Sequence, residues 1–419
     1  MKISDIRPEV YKLAEEAEKD LLHVFHKIDC IAQANTRKVM QAFQDNRVSE
    51  ACFAGTTGYG YDDLGRETLD KIFAQVFRTE AALVRTGFVN GTHALSAALF
   101  ALVGPGDTIL AATGAPYDTL RCAIGISGEY HGSLRFYGVD YAQVELTSSG
   151  APDCDAIAKA AADPKVKAVL IQRSRGYEDR PALSIKQIGQ ICAAVRSVNP
   201  TTYIMVDNCY GEFTDTVEPT EVGADIIAGS LIKNPGGGIA PTGGYAAGKK
   251  ELVERAAMRL TTPGIGGECG STLGISRLLY QGLFLAPHTV AQALKTAVFC
   301  SAMMERIGIE TSPKPSEIRS DIIQMIKLGT AENMKRFCAG IQAGAPVDSY
   351  VTPEPWQMPG YDCPVIMAAG AFIQGSSIEL SADGPFRPPY TVYMQGGLTY
   401  ESGKLGVMMA VSAMLENKE

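Results

Sequence analysis

The sequence predicts an α/β protein in which a large domain with a mostly parallel sheet precedes a smaller α+β C-terminal domain. Short apolar runs alternate with amphipathic stretches after residue 65, which is typical of strands that alternate with helices. Most of the runs carry few polar residues, as strands covered by helices on both faces do. Strands are expected at 81–84, 108–111, 166–172, 203–206, 225–228 and 244–247.

The stretches between these strands predict crossover helices. Helical patterns occupy 92–102, 154–162 and 184–198. Because crossover connections are right-handed and join parallel strands, the sheet should be mostly parallel. Ligands of such sheets bind beyond the carboxyl ends of the strands, so the functional residues are expected there.

The chain divides into three predicted parts. Apolar residues recur at helical spacing from Pro8 to about Gln44, which predicts an N-terminal helical arm over 1–55. The alternating region gives a large domain over 56–286, and the pattern then loosens into a small domain over 287–419. In the small domain we expect helices at 291–307 and 401–415, and strands at 363–368 and 376–380.

The composition favours a protein that binds a small molecule. The 419 residues are 46% hydrophobic and 20% charged, and the net charge of -8 is spread without a long single-sign run. Affinity for nucleic acid or an anionic membrane therefore has no electrostatic basis. Ten cysteines without a CxxC pair indicate reduced, buried thiols. With no secretory signal and no apolar run long enough to cross a bilayer, we expect a cytoplasmic protein.

Lys233 stands in the most informative segment, after an apolar run and shortly before three glycines. Because glycine permits close approach of the backbone, this loop is expected to press against a ligand. A dry pocket should disfavour the charged form of the lysine and free its amine as a nucleophile, which Schiff-base chemistry requires. The alternative is a solvated lysine in a surface turn.

Asp207 ends the apolar run that starts at Tyr203, which brings its carboxylate to the ligand edge of the sheet. A buried carboxylate there can keep a pyridine nitrogen protonated, and pyridoxal 5′-phosphate (PLP) withdraws electrons only in that form. The alternative is an aspartate that caps the next helix or turn.

Two further segments add a phosphate seat and an aromatic ring. Gly91 and Thr92 open a predicted helix, whose first N–H groups and dipole favour an anion; many helices begin this way without a ligand. Tyr117 follows the next strand and is a candidate to stack on a pyridine ring, or else a core tyrosine. Along the chain the order is phosphate turn, stacking ring, acid and lysine, which together predict a PLP site.

At these residues the sequence resembles the fold-type I PLP-dependent enzymes of cysteine and methionine metabolism, the cystathionine and methionine γ-lyases. Within them it is similar to the aluminium-resistance branch. The resemblance covers essentially the whole chain, and its most specific parts are 90–92, 206–208 and 230–233. It implies the PLP-dependent transferase fold.

The resemblance also implies roles for individual residues. Lys233 carries the cofactor as a Schiff base and moves protons, and Asp207 binds the ring nitrogen. Gly91, Thr92 and Ser230 hold the phosphate. Tyr117 stacks on the ring and serves in proton transfer.

Residues 58–66 resemble the segment that reaches the phosphate of a neighbouring subunit, so Tyr59 and Arg66 become candidates for that contact. This implies a homodimer or homotetramer with shared sites.

Three arginines are candidates to meet a charge on the substrate. Arg387 lies between prolines in residues 384–390, a segment characteristic of the aluminium-resistance branch, and we expect it to bind the α-carboxylate of an amino acid. The alternative is an arginine that packs a proline-rich loop. At 172–177 the chain departs from the asparagine-containing loop common in fold-type I enzymes. Arg173 or Arg175 is expected to take that place or to contact the substrate.

The resulting hypothesis is a carbon–sulfur lyase that acts on a sulfur-containing amino acid and releases a thiol, ammonia and a keto acid. A PLP aminotransferase or a replacement synthase would use similar parts. A non-catalytic PLP-binding protein in metal stress is a third reading. A nicotinamide dehydrogenase is disfavoured because no GxGxxG follows the first strand. No metal site is expected, since nothing completes a ligand set around His23 and His26.

Overall fold

The computed structural model describes residues 2–128, 130–358 and 363–415. The helices are α1 Pro8–Asp45, α2 Leu64–Val76, α3 Gly91–Phe100, α4 Asp118–Ile124, α5 Cys154–Ala161, α6 Ile185–Val198, α7 Lys250–Leu260, α8 Ser276–Arg306, α9 Ala331–Ala343 and α10 Tyr400–Leu415. The strands are β1 Ala81–Arg85, β2 Thr108–Ala111, β3 Asp140–Gln143, β4 Val166–Gln172, β5 Tyr203–Asp207, β6 Ile226–Ser230, β7 Gly244–Gly248, β8 Glu310–Ser312, β9 Gln324–Lys327, β10 Val365–Ala369, β11 Ser381–Pro385 and β12 Thr391–Gln395.

The first seven strands form one sheet in the order β1-β7-β6-β5-β4-β2-β3. β7 pairs antiparallel with both of its neighbours, whereas the pairs from β6 to β3 are parallel. The predicted mostly parallel sheet is therefore confirmed. β5, β6 and β7 are almost wholly buried, because helices cover both faces: α3 and α7 belong to one hydrophobic core, and α2 and α6 to the other.

The long helix α1 confirms the helix predicted from Pro8 to about Gln44, since it begins at Pro8 and ends at Asp45. Its buried side chains follow the helical period, and it packs along α8. α8 itself runs without interruption through Pro287, so the predicted boundary between residues 286 and 287 falls inside one helix. The limits of the three parts stay a prediction.

Strand placement differs from the sequence expectation in both sheets, and β8, β9 and β12 are among the strands that were not expected. β3 was not expected, because it is a half-exposed edge strand without an apolar run. The strand expected at 376–380 is wrong, since those residues form turns and β11 begins at Ser381. The carboxylate of Glu379 accepts the backbone N–H groups of Phe372 and Ile373 at 2.8 and 2.9 Å, which folds this segment back on itself.

The last five strands form an antiparallel sheet in the order β10-β11-β12-β9-β8. Side chains alternate between its faces. Ala382, Val392 and Met394 join the core that contains α9 and α10. On the opposite face, Met325 and Tyr393 pack against tyrosines of the large domain. The second sheet therefore covers the edge of the first sheet where β4 and β5 end.

In the described part of the chain, no helix is both long enough and apolar enough to cross a membrane.

Candidate active site

The ends of neighbouring strands bring several of the predicted residues to one edge of the first sheet. β5 ends at Asp207 and β6 ends at Ser230, and the two strands pair in parallel. α3 begins at Gly91 against the end of β6. A Cβ atom added to Gly91 would lie 3.2 Å from Cβ of Ser230 and 3.8 Å from Sγ of Cys209. The phosphate-seat and ring-acid candidates therefore share one edge.

The surroundings of Gly91 suit an anion. The side chain of Asn90 caps α3 by accepting the N–H of His93 at 2.8 Å, and the other N–H groups of a first helical turn have no acceptor within the helix. The Oγ of Ser230 is buried and has no partner among the described residues, which is unfavourable unless a ligand supplies one. Oγ1 of Thr92 lies 2.7 Å from Oγ1 of Thr119. The residues present fit a phosphate group.

Asp207 is a buried carboxyl group with an oxygen, Oδ1, that accepts the N–H of Cys209 at 3.1 Å. Burial raises the pKa of Asp207, although the charge of Lys233 and the bond from Cys209 act in the opposite direction. A cation against this carboxyl group would favour its ionised form. A protonated pyridine nitrogen is such a cation.

Lys233 lies half-buried at the start of a short turn after β6, and its Nζ is 3.9 Å from the centre of the Tyr210 ring. Burial alone lowers the pKa of Lys233, but Cys209, Tyr210 and Asp207 outweigh burial and raise it. Burial therefore acts on Lys233 in the expected direction, against the ammonium form, and these three neighbours act in the opposite direction.

The glycines after Lys233 contact protein, which corrects the expectation that they press against a ligand. A Cβ atom on Gly236 would lie 1.7 Å from the carbonyl oxygen of Leu231, and one on Gly237 would lie 2.4 Å from that of Gly282 in α8. Gly237 also has a φ of +56°. These residues are glycine because the loop packs directly on α8, and that packing positions Lys233.

Tyr117 belongs to a group of aromatic side chains near Lys233. Its N–H donates to Oε1 of Gln172 at 2.7 Å, and its ring centre lies 5.9 Å from that of Tyr177. Tyr177 in turn lies 5.3 Å from Tyr393 of the second sheet. Tyr177 and Tyr210 both pack against the cluster that contains Tyr393. The group joins the two sheets across the candidate site.

The two arginines of the loop after β4 differ in what they contact. Arg173 is buried, and its guanidinium donates to Oδ1 of Asn208 at 2.8 Å and to Oγ1 of Thr214 at 3.1 Å, with Glu218 at 3.4 Å. Arg175 is also buried, but among the described residues only its Nη2 has a side-chain partner, Oγ of Ser312 at 3.3 Å. Both terminal nitrogens of Arg173 therefore have side-chain acceptors, and only its Nε lacks a partner in the described part of the chain.

Arg319 is a second buried arginine with donors to spare. Its Nη2 donates to Oε1 of Gln324 at 2.6 Å. Burial lowers the pKa of Arg319 to about 10, with Asp321 opposing and Arg175 reinforcing the shift. Within the described residues, Nε and Nη1 of both Arg175 and Arg319 lack hydrogen-bond acceptors. Two neighbouring guanidinium groups with unused donors suit a carboxylate.

Arg387 and the expected subunit-bridging residues lie elsewhere. Arg387 is exposed in the turn between β11 and β12. Arg66 is buried, and its guanidinium donates to the carbonyls of Gly60, Glu268 and Gly270 within its own chain. Tyr59 is 71% exposed. Their roles toward a substrate or a neighbouring subunit stay predictions.

Sequence reasoning missed Tyr210, Arg319 and Asp383. Asp383 is buried, and the hydroxyl of Tyr177 bonds to it. Arg319 precedes β9 without any strand-end motif, and Asp383 belongs to a strand that was placed too early. An alternation of polar and apolar residues at 381–385 was the signal that could have found Asp383.

No group of three or more histidine, cysteine, aspartate or glutamate side chains in the described ranges could hold a metal ion. Of the two histidines weighed earlier, His26 has its Nε2 3.8 Å from Sγ of Cys30. His23 is exposed.

Comparison with known proteins identifies the family. A family model described as methionine gamma-lyase matches residues 10–415. The chain belongs to the methionine gamma-lyase family. A solved carbon–sulfur lyase involved in aluminium resistance from Clostridium novyi NT is 53% identical, with a TM-score of 0.95 and coverage of 98% of this chain and 97% of that one. The uncharacterized protein YnbB of Bacillus subtilis is 48% identical over 408 residues, 97% of each chain.

A more distant structure agrees with the fold. The PLP-dependent protein YhfS of Escherichia coli is 18% identical, with a TM-score of 0.60 over 90% of this chain and 94% of that one. This likeness shows the fold alone. The predicted α/β fold, with a mostly parallel sheet and a smaller antiparallel sheet, is therefore confirmed.

Glu212 is a buried acid beneath the site. Oε1 of Glu212 accepts the hydroxyl of Tyr245 at 2.8 Å, and Nδ2 of Asn234, next to Lys233, donates to the Glu212 carbonyl at 3.0 Å. Burial raises the pKa of Glu212 to about 8. At neutral pH this side chain is therefore mostly protonated.

We expect Glu212→Gln to remove a pH dependence of stability. In the unfolded chain glutamate ionises near pH 4.3, whereas in the native state the pKa of Glu212 is about 8. Between these two pH values the native state binds more protons than the unfolded state does. The free energy of unfolding therefore falls as pH rises, by at most roughly 1.4 kcal/mol per pH unit. Glutamine mimics the protonated acid. Thermal unfolding measured from pH 5 to 8.5 should show the melting temperature of the variant rising relative to that of the parent as pH rises. If the two melting temperatures change in parallel with pH, the raised pKa is contradicted.

Proposed function

We propose that this chain is a PLP-dependent carbon–sulfur lyase that acts on a sulfur-containing amino acid and releases a thiol, ammonia and a keto acid. The observation that carries the proposal is the unpartnered, buried Oγ of Ser230 beside Gly91 at the start of α3, at the same edge as Asp207 and Lys233. Membership of the methionine gamma-lyase family supports the reaction class.

Each part of the cofactor has a matching residue. Gly91 and Thr92 would offer N–H groups to the phosphate, and Ser230 would offer its hydroxyl. Asp207 would hold the ring nitrogen as a charge-assisted partner. Tyr117 is the candidate for the ring face.

PLP, when bound, accepts the electron pair that is left when a bond to Cα of an amino acid breaks. The protein's own residues then move protons. The amine of Lys233 would take the Cα proton, and Lys233 or Tyr117 would deliver a proton to the departing sulfur. Cys209, Tyr210 and Asp207 raise the pKa of this amine, whereas burial lowers it, and the centre of the Tyr210 ring lies 3.9 Å from Nζ.

Arg175 and Arg319 are proposed to bind the α-carboxylate of the substrate. Their unused Nε and Nη1 donors are buried, and a carboxylate would satisfy them with charge-assisted bonds. Arg175 is the one of these two arginines that was also expected from the sequence to contact the substrate. Arg387, exposed in its turn, is proposed to act at most at the mouth of the site.

A homo-oligomer is proposed because the segment around Tyr59 exposes aromatic surface. Tyr59 and Tyr61 are both exposed and stack with ring centres 5.6 Å apart. Exposed stacked aromatics favour a partner surface. By the family resemblance, this segment would reach the cofactor phosphate of a neighbouring subunit.

The reaction class is tested by incubating the purified protein with a panel of thioether and thiol amino acids and measuring thiol and keto acid. We expect both products, and we expect Lys233→Ala to lower their rate by about a thousandfold or more because a nucleophile and proton carrier is lost. Lys250→Ala, which changes an exposed lysine, is the control.

Other products would decide among the alternatives. Amino-group transfer without thiol would indicate an aminotransferase, and thioether synthesis a replacement enzyme. PLP binding with no product from any amino acid would contradict the lyase assignment.

The arginine assignment predicts a difference in KM. Removing charge-assisted hydrogen bonds worth about 1.5–3 kcal/mol should raise KM about 10- to 100-fold in Arg319→Ala and Arg175→Ala. Arg387→Ala should raise it far less. Steady-state kinetics of variants with matched melting temperatures makes the comparison. If Arg387→Ala alone raises KM, the exposed arginine binds the carboxylate instead.

A further inference from the structure

Asp383 is a buried carboxyl group that the proposed reaction does not use. It lies in β11 and is 6% exposed. The Tyr177 hydroxyl bonds to it, yet its Oδ1 is buried without an acceptor or donor partner in the described part of the chain. A buried, half-satisfied carboxyl group is unfavourable for folding alone.

The alternation of β11 points this carboxyl group toward the candidate site. Residues at even positions, such as Ala382, lie in the core with α9 and α10. Asp383 pairs with Tyr393 of the neighbouring strand β12. Tyr393 packs against Tyr177 and Tyr210 from the large domain. Asp383 therefore belongs to the face that covers the edge of the first sheet.

Electrostatics agrees with this location. Burial raises the pKa of Asp383 to about 7, while the Tyr177 hydroxyl and the positive charge of Lys233 favour the ionised form. Lys233 is thus close enough for its charge to act on Asp383. A second cation beside Oδ1 would hold the group as a carboxylate.

The neighbouring side chains extend the polar surface. Ser381 lies two residues earlier on the same face of β11, and its Oγ is also buried without a partner among the described atoms. Ser381 pairs with Gln395 across β12. Cross-strand and i, i+2 neighbours lie within about 7–8 Å of each other, so these groups line one polar patch.

An apolar substrate end would fit this patch poorly. A methyl thioether would cover Oδ1 of Asp383 and Oγ of Ser381 without bonding to either. A protonated amine would donate to Oδ1 and balance the carboxylate charge. The discrimination arises because unpaired buried polar groups penalise the wrong ligand more than an extra contact favours the right one.

We propose that Asp383 binds a protonated amine on the sulfur-bearing, departing half of the substrate, so that the enzyme prefers thioethers with a second amino group over methionine-like thioethers. This inference rests on the proposed lyase function. Asp383 acts here as a specificity-determining residue, and Ser381 supports it. Tyr177 positions the carboxylate through the hydroxyl bond.

The test uses the PLP-loaded enzyme and two probes of nearly equal size, S-(2-aminoethyl)-L-cysteine and S-propyl-L-cysteine, with their homocysteine counterparts for γ-elimination. The parent enzyme should favour the aminoethyl compound in kcat/KM by about tenfold or more, the effect of one charge-assisted bond. Asp383→Asn keeps the size of the side chain and an acceptor for Tyr177. It should bring that ratio close to one.

Two further variants test whether a change in the ratio is specific to the patch around Asp383. Glu401→Gln makes the same chemical change at an exposed residue of α10 and should leave the ratio unaltered. Ser381→Ala tests the patch without touching the carboxylate and should lower the ratio in part. A purely structural role for Asp383 would lower the rates for both probes together and keep their ratio.

The proposal is overturned if the parent enzyme handles both probes equally or prefers the propyl compound, or if Asp383→Asn keeps the preference. If neither probe releases thiol, the lyase function fails separately. Calorimetric binding of the two probes to parent and Asp383→Asn then still decides the role of Asp383, because the same affinity ratio is predicted for binding.

Discussion

The carboxyl edge of the parallel strands is the constraint on which the site depends. Parallel strands that are buried on both faces must all end at one edge, and the chain leaves that edge through loops that carry its polar residues. Here β5 delivers Asp207 and β6 delivers Ser230, while α3 begins against Ser230 with a glycine. The close approach of α3 favours glycine at 91, because a Cβ atom there would lie 3.2 Å from Cβ of Ser230 and would push one of the two residues back.

Packing of the loop that follows Lys233 fixes the position of the reactive amine. Gly236 and Gly237 allow the loop to lie directly on α8, and α8 is the helix against which the N-terminal helix α1 packs. The position of Lys233 is therefore fixed by the core, while Cys209, Tyr210 and Asp207 raise its pKa against the effect of burial. The same short segment therefore packs on the core and carries the reactive amine.

The second sheet supplies what the first sheet cannot, a cover with polar groups of its own. Tyr393 joins Tyr177 and Tyr210, and Asp383 lies beside it. Among the described residues, the buried polar atoms without protein partners include Oγ of Ser230 at the end of β6 and atoms of Arg175, Arg319 and Asp383. Because proteins rarely leave such groups unsatisfied, a charged or polar ligand would stabilise them.

The sequence predicted the part of the site that is local in the chain. Lys233, Asp207 and Gly91 follow or precede apolar strands, so the strand pattern alone locates them. Arg319 and Asp383 could not be found in this way, because the proximity of Arg319 to Arg175 and of Asp383 to Lys233 depends on how the small sheet docks. Arg387 was favoured for its proline neighbours, which hold an exposed turn. The effect of burial on Lys233 could be expected from the sequence, whereas the opposing effects of Cys209, Tyr210 and Asp207 on its pKa depend on the folded geometry.

The most direct test of the central claim is chemical. The purified protein should absorb near the visible edge when PLP is bound, and borohydride should reduce the link irreversibly. Digestion and mass spectrometry should then recover the cofactor on the peptide that contains Lys233. A label on any other lysine, or none after reduction of a PLP-saturated sample, would contradict the account.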